Sequence, residues 1–401
     1  MKPNRLHLPS GLLAVLVLVS AATPSPAQEK GRISPGAEGN LSLRLEIQRA
    51  IDRGVAYLIK VQAADKGNWG DPQNPALTAL PVMAIVSDPA RDPRAPLPDA
   101  VKRAYDFILG NVREDGGIYY KGLATYNTAL SLTALSLSGQ DEYLPAIARA
   151  RRFLVSQQQD YDKKGVTDNV LDGGIGYGGS SAHSDLSNTH FAVEALYYSK
   201  MVLADTKYDD TGEIDLDWDA AISFVERCQN SEKTVAALGD WAGLREEDRG
   251  GFIYFPGDTK SEEIELPGGK TALRSYGSMT YAGMLSFIYA DMAPDDPRIH
   301  AAMDWLGKNY TLDENPGMQA QGLYYYYHTM AKALSIARVP DLMLADGQKI
   351  DWREKLSLKI MSRQKTDGSW VNEESNRWME DNSALVTSYA LLALEHVFRQ
   401  L

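Results

Sequence analysis

The stretch Asn127-Thr128-Ala129-Leu130-Ser131-Leu132-Thr133-Ala134-Leu135 is small or apolar on nearly every side of a helix. Such a helix has no face to offer water and is read as buried. Its opening recurs along the chain as Leu77-Thr78-Ala79-Leu80, Asn188-Thr189-His190-Phe191, Met279-Thr280-Tyr281-Ala282, Tyr326-Tyr327-His328-Thr329 and Val386-Thr387-Ser388-Tyr389. Threonine holds the second position in five of the six. The openings lie 50, 61, 91, 47 and 60 residues apart, a spacing that marks one repeat architecture rather than separate domains.

Ahead of each buried helix runs a more amphipathic one, over 43–62, 98–112, 144–157, 217–228, 297–308 and 351–364. Charges such as those of Arg149-Ala150-Arg151-Arg152 are expected on one face, so these are read as outer helices. The turns between outer and inner helices repeat as well. Gly116-Gly117-Ile118-Tyr119, Gly173-Gly174-Ile175-Gly176-Tyr177 and Gly250-Gly251-Phe252-Ile253-Tyr254 combine glycines for unusual backbone angles with an aromatic ring that pins the loop. Six outer–inner pairs close into a ring in which neighbours bury one another's apolar faces. The expected fold is therefore all-α, an α/α toroid of six helical hairpins spanning 43–401. The longest interval holds an insertion at about 231–273, rich in acids and glycines, expected as a surface loop or lid.

Composition agrees: 44% hydrophobic and 23% charged residues describe a globular chain with material for a core. Lys2, Arg5 and His7 precede nine small or apolar residues, Gly11 to Val19, and then Ser25-Pro26-Ala27, so residues 1–27 read as a signal peptide. Spanning a bilayer takes about 20 apolar residues, so the mature chain is expected to carry no transmembrane anchor and to be periplasmic or secreted. Residues 28–42 are expected to be flexible. Loss of Lys2 and Arg5 leaves 39 basic against 53 acidic residues, a net charge of −14, which argues against nucleic acid as a partner. Cys228 is the only cysteine and can form no internal disulfide. Oligomeric state is left open.

The turn Gln364-Lys365-Thr366-Asp367-Gly368-Ser369-Trp370, and its variant from Gln62 through Gly67 to Trp69, resemble the Gln-Trp turn motif of the squalene cyclases. With the six-hairpin pattern covering nearly all of 43–400, the chain resembles the α/α toroids of the squalene cyclase and protein prenyltransferase superfamily. That resemblance implies the toroid and a central cavity for an apolar ligand. The catalytic motifs of its members do not carry over. The proton-donating Asp-x-Asp-Asp of the terpene cyclases is missing from every inner-helix entrance, and the nearest string, Asp215-Leu216-Asp217-Trp218-Asp219, precedes an outer helix as caps do. His328 matches one zinc ligand of the prenyltransferases, but Arg274 and Tyr276 stand where the Asp and Cys should be, and a catalytic zinc takes three protein ligands. Cys228-Gln229-Asn230-Ser231 is no thioester segment.

Polar and aromatic residues remain at the inner-helix entrances, Asp71, His183 and Glu380 among them. The candidates for acid–base chemistry are His328, His190, Asp185, Tyr276 and Asp381, because an imidazole beside a carboxylate suits proton transfer. The candidates for holding a ligand are Asn127, Asn188, Arg274, Tyr281, Tyr325, Tyr327 and Arg377, with Tyr325, Tyr326, Trp370 and Trp378 as aromatic lining. The same residues also fit plain structural roles as caps, packing and a salt bridge from Arg274 into the insertion. Three readings stay open: a cavity that binds, and in one version transforms, an apolar or isoprenoid-like small molecule; an exported enzyme acting on polysaccharide or peptide at a polar mouth; and a non-catalytic scaffold ring. No metal and no nucleotide cofactor is expected, since no Gly-rich phosphate loop follows a strand.

Overall fold

The computed structural model describes residues 35–178 and 183–401. The expected export signal at 1–27 lies outside the described residues. Six helical hairpins follow in order: α1 (Pro35–Val61) with α2 (Ala76–Val86), α3 (Asp99–Leu109) with α4 (Ala124–Ser136), and α5 (Leu144–Ser156) with α6 (Leu186–Leu203). Next come α7 (Trp218–Arg227), a short α8 (Glu232–Leu238) and α9 (Gly277–Tyr289), then α10 (Pro297–Lys308) with α11 (Leu323–Ile336), and α12 (Trp352–Ser362) with α13 (Ser383–Phe398). The first helix begins at Pro35, so part of the segment expected to be flexible is helical. Each inner helix packs on the next, α2 on α4, α4 on α6, and so on, until α13 returns to α2 and closes the ring. In α13, thirteen of sixteen residues are buried, as their composition requires.

The recurrent threonine now has a physical reason. Its hydroxyl oxygen accepts the backbone N–H of the preceding turn at Thr78 from Trp69, Thr128 from Ile118, Thr189 from Ile175, Thr280 from Phe252 and Thr387 from Trp370, at 2.8–3.2 Å. Each bond satisfies a buried donor that no helix or strand serves. The fifth hairpin, which has Tyr327 in that position, ties its turn instead by the hydroxyls of Tyr326 and Tyr327, which donate to the carbonyls of Thr311 and Leu312.

Glutamine at the end of four outer helices makes the joint between hairpins. The amide of Gln62 donates to the carbonyls of Gly67 and Ala100, Gln158 to Gly173 and Asp217, Gln229 to Gly250 and Arg298, and Gln364 to Gly368 and Ala50. One acceptor lies in the glutamine's own turn and the other in the neighbouring outer helix or its cap. The last of these, Gln364 to Ala50, seals the sixth hairpin onto the first. Beside it the turn glycine lies flat against the neighbouring helix; at Gly173, with φ +83°, a Cβ would stand 2.1 Å from the Ala220 carbonyl oxygen.

The insertion between α7 and α9 is structured. It holds α8 and a three-stranded sheet of β1 (Ala242–Gly243), β2 (Glu263–Leu266) and β3 (Lys270–Leu273), in which β3 pairs parallel with β1 and antiparallel with β2. A two-stranded ribbon, β4 (Leu342–Met343) with β5 (Lys349–Ile350), precedes α12. Arg151 departs from the one-face expectation for the outer helices. It is fully buried and bonded to Asp215 at 2.6 Å and to the Ile214 carbonyl, while Asp217 caps α7, so the Asp215–Asp219 string serves structure.

Candidate ligand cavity at the mouth of the ring

A cavity of about 280 Å³ opens where the inner helices begin. Its floor is a run of rings, one from each of four inner helices: Tyr126 on α4 meets Phe191 on α6 edge-on at 5.4 Å, Phe191 lies 5.9 Å from Tyr325 on α11, and Tyr325 lies 5.7 Å from Tyr389 on α13. Tyr177, Tyr254, Tyr276 and Met279 form one wall, and Leu123, Trp378 and Met379 form the rim. Burial pushes the Tyr126 hydroxyl up to about 12 and raises those of Tyr325 and Tyr389, so all three stay protonated at neutral pH.

The rim is built from unusual backbone. Leu123, Trp378 and Met379 have φ of 51°, 56° and 62°, left-handed values that a bulky L-residue adopts at a cost of about 1–2 kcal/mol each. All three are apolar and exposed, at 41%, 44% and 40%. Gly322 lies beneath the Trp378 ring, where a Cβ would come within 3.0 Å of the indole.

Two carboxylates near this cavity are helix caps. Asp185 accepts from the Asn188 backbone N–H and its side-chain amide, both at 2.8 Å, and burial raises its carboxyl to about 6. Glu380 reaches across from the last hairpin. One oxygen accepts the N–H groups of Tyr324 and Tyr325 at 2.9 Å, which begin α11, and the other accepts from Asn372 at 2.7 Å. Burial nonetheless pushes Glu380 from 4.5 up to about 7. Between those values the unfolded chain has lost a proton that the folded chain keeps, so the stability Glu380 contributes is present below about pH 4.5 and falls as pH rises to about 7. Relative to Glu380→Gln, the wild type is therefore expected to lose up to about 3 kcal/mol across that window, measured by urea unfolding at each pH. A difference independent of pH would show that Glu380 does not titrate there.

Below the rings the axis is filled. Lys332 on α11 forms a buried ion pair with Glu194 on α6, and His190 Nε2 lies 3.8 Å from that carboxylate, with its Nδ1 3.4 Å from the Ser286 hydroxyl. His328 stacks on Tyr389 at 5.6 Å, beside His396. Burial, with Lys332 adding repulsion, lowers His190 to about 3 and holds His328 and His396 well below the usual range, so all three imidazoles are neutral. Among the described residues no group of three or more His, Cys, Asp and Glu side chains is arranged to hold a metal ion.

These positions revise the list of site residues. Tyr276 and Tyr325 line the cavity. His190 and His328 do come together on the axis, but neither lines the cavity. Asp381 is exposed, and the carboxylate in the wall is its neighbour Glu380. Asn127 caps α2 by accepting from the Ala76 N–H at 2.9 Å, and Asn188 serves Asp185. Tyr281, Tyr326 and Tyr327 are core rings, and Trp370 is fully buried with its indole N–H on the Ile360 carbonyl. Arg274 is ion-paired to Glu262 at 3.0 Å.

Arg274 and Arg377 lie in a second, polar basin of about 440 Å³ next to the cavity, with Lys260, Glu262, Glu314 and Gln321. Lys260 lines both spaces. The residues that sequence reasoning passed over are Tyr126, Phe191, Tyr389 and Lys260. Each of the three rings stands within two positions of a residue singled out for its polarity or its repeat position. Tyr177 and Tyr254 had a signal, as the aromatic ends of the Gly-Gly turns.

Solved structures share this architecture. The type II terpene cyclase MstE from Scytonema, in its apo form, aligns over 89% of this chain and 99% of that chain with a TM-score of 0.53 at 12% identity. A variant of that enzyme in complex with geranylgeranyl dihydroxybenzoate, its substrate, aligns over 90% of this chain and 100% of that chain with a TM-score of 0.52 at 14% identity. No family model matches the sequence, and no curated protein matches it. The chain has the squalene-cyclase-like α/α-toroid fold of the type II terpene cyclases. Among the described residues no helix is long and apolar enough to cross a membrane.

Proposed function

We propose that this chain is an exported binding protein whose mouth cavity takes an apolar small molecule of the isoprenoid class. The observation that carries the reading is the rim. Three bulky apolar residues, Leu123, Trp378 and Met379, are held in left-handed backbone and exposed to solvent beside a ring-lined cavity. Strained backbone clusters at ligand clamps and active sites, and exposed apolar side chains at a concave site gain stabilisation when a ligand covers them. The cavity is at the small end of the roughly 300–1,000 Å³ range of ligand pockets, and the ion pair on the axis below closes the deeper space. Binding fits better than proton-initiated cyclisation, because Asp185 and Glu380 are both engaged as caps. Export follows from the reading of residues 1–27.

Farnesol titrated into the purified protein, followed by tryptophan fluorescence and calorimetry, tests this reading. Saturable binding is expected in the wild type. Ser187→Trp, which fills the cavity from a partly exposed wall position, is expected to weaken it at least tenfold, about 1.4 kcal/mol. Equal affinity in the filled variant, or no saturable binding at all, would refute the reading.

A further inference from the structure

We infer that the ligand is an amphiphile with a singly charged anionic head, most simply a carboxylate, its tail in the aromatic cavity and its head in the adjoining basin against Arg377. This rests on the proposed cavity ligand and adds its chemical class. The two spaces are joined by their own residues. Lys260 lines both, and the neighbours Arg377 and Trp378 contribute one to each, the guanidinium lying over the indole at 4.4 Å. A molecule seated among the rings therefore meets the basin at that stacked pair.

The charges in the basin select the head. Counting Asp258, which pairs with Lys260, three cations, Lys260, Arg274 and Arg377, stand against three carboxylates, Asp258, Glu262 and Glu314, so what selects the head is the cation left without a carboxylate rather than a net charge. Arg274 is taken up by Glu262 at 3.0 Å and Lys260 by Asp258 at 3.1 Å. Arg377 is bonded to the neutral side-chain oxygen of Gln321, and among the described residues no carboxylate lies within 4.0 Å of it. A planar guanidinium already fixed on an aromatic face presents its fork to a carboxylate at little further entropic cost. One guanidinium without a carboxylate partner matches a monoanion. A diphosphate would bring about three negative charges towards Glu262 and Glu314 and meet like-charge repulsion. Farnesyl diphosphate is thus expected to bind less well than the carboxylate.

The test compares farnesoate, farnesol, farnesyl diphosphate and butyrate in calorimetric titrations of the full mature chain, with Arg377→Gln and Arg377→Lys. Farnesoate is expected to bind the wild type roughly tenfold or more tighter than farnesol, with an advantage that shrinks as salt is raised. Arg377→Gln should erase that advantage, so that farnesoate and farnesol bind the variant equally, and Arg377→Lys should restore part of it. Butyrate, which has the head without the tail, should bind far more weakly than farnesoate. Equal binding of farnesoate and farnesol to the wild type, tighter binding of the diphosphate, or full preference retained in Arg377→Gln would each overturn the inferred head while leaving the cavity ligand standing, whereas butyrate as tight as farnesoate would show that the tail gains nothing from the cavity and would overturn both. Binding of none of the three farnesyl compounds would overturn both.

Discussion

Gly173→Ala is expected to destabilise the protein by about 3 kcal/mol or more, a large part of the 5–15 kcal/mol that holds a typical domain folded. Two costs add. The residue sits at φ +83°, where an L-side chain costs about 1–2 kcal/mol. Its new Cβ would also stand 2.1 Å from the Ala220 carbonyl oxygen and 2.9 Å from the Ala220 Cβ, so the turn must lift off α7. Lifting it stretches the bonds of Gln158 to Gly173 and Asp217, the joint between the third and fourth hairpins. Gly139 separates the two costs, since it has φ +64° with nothing within 4 Å of a built Cβ. Gly139→Ala should cost only the backbone component, about 1–2 kcal/mol. Urea unfolding of both variants decides the matter: equal losses would mean that the packed turn is not what makes the repeat glycine necessary.

Lys332→Met is expected to cost about 3–5 kcal/mol, because it leaves Glu194 without its cation in the middle of the ring. The same principle predicts the reverse for the pair removed together. Glu194→Leu with Lys332→Leu should be near neutral or stabilising, since desolvating two charges offsets much of their attraction. The coupling is measured by a double-mutant cycle. A small loss in Lys332→Met would show that the axial ion pair is not a buried charge pair in solution. Because Glu194 and Lys332 hold α6 against α11 beneath the cavity floor, the single variant should also weaken ligand binding, whereas the double variant should retain it.

Much of this architecture is legible in the sequence because its physics is local and repeated. An inner helix with no polar face leaves a mark at a fixed place in every hairpin, and a threonine that accepts a turn N–H does so in five of the six. The Gln joints at Gln158 and Gln229 are present too, but no tryptophan follows them, so only Gln62 and Gln364 stand out as a motif. The candidate site is harder to read for a geometric reason. Neighbouring residues on a helix point about 100° apart, so His190 faces the axis while Phe191 faces the cavity, and Asn127 caps α2 while Tyr126 joins the floor. Polarity at a helix entrance draws attention to the wrong member of each pair. Trp378 is anticipated as aromatic lining, but Leu123, Met379 and the left-handed backbone of the rim are not, since leucine, tryptophan and methionine carry no signal for it. Nor does the sequence indicate that Glu380 would cap a helix from another hairpin while Asp381, one residue on, faces solvent.

The central claim is that the mouth cavity is a binding site, and a crystal structure of the mature protein grown with farnesol tests it most directly. Farnesol density is expected among Phe191, Tyr325 and Tyr389, covered by Trp378 and Met379. An ordered cavity filled only with water, or farnesol bound elsewhere with the rim unchanged, would contradict it.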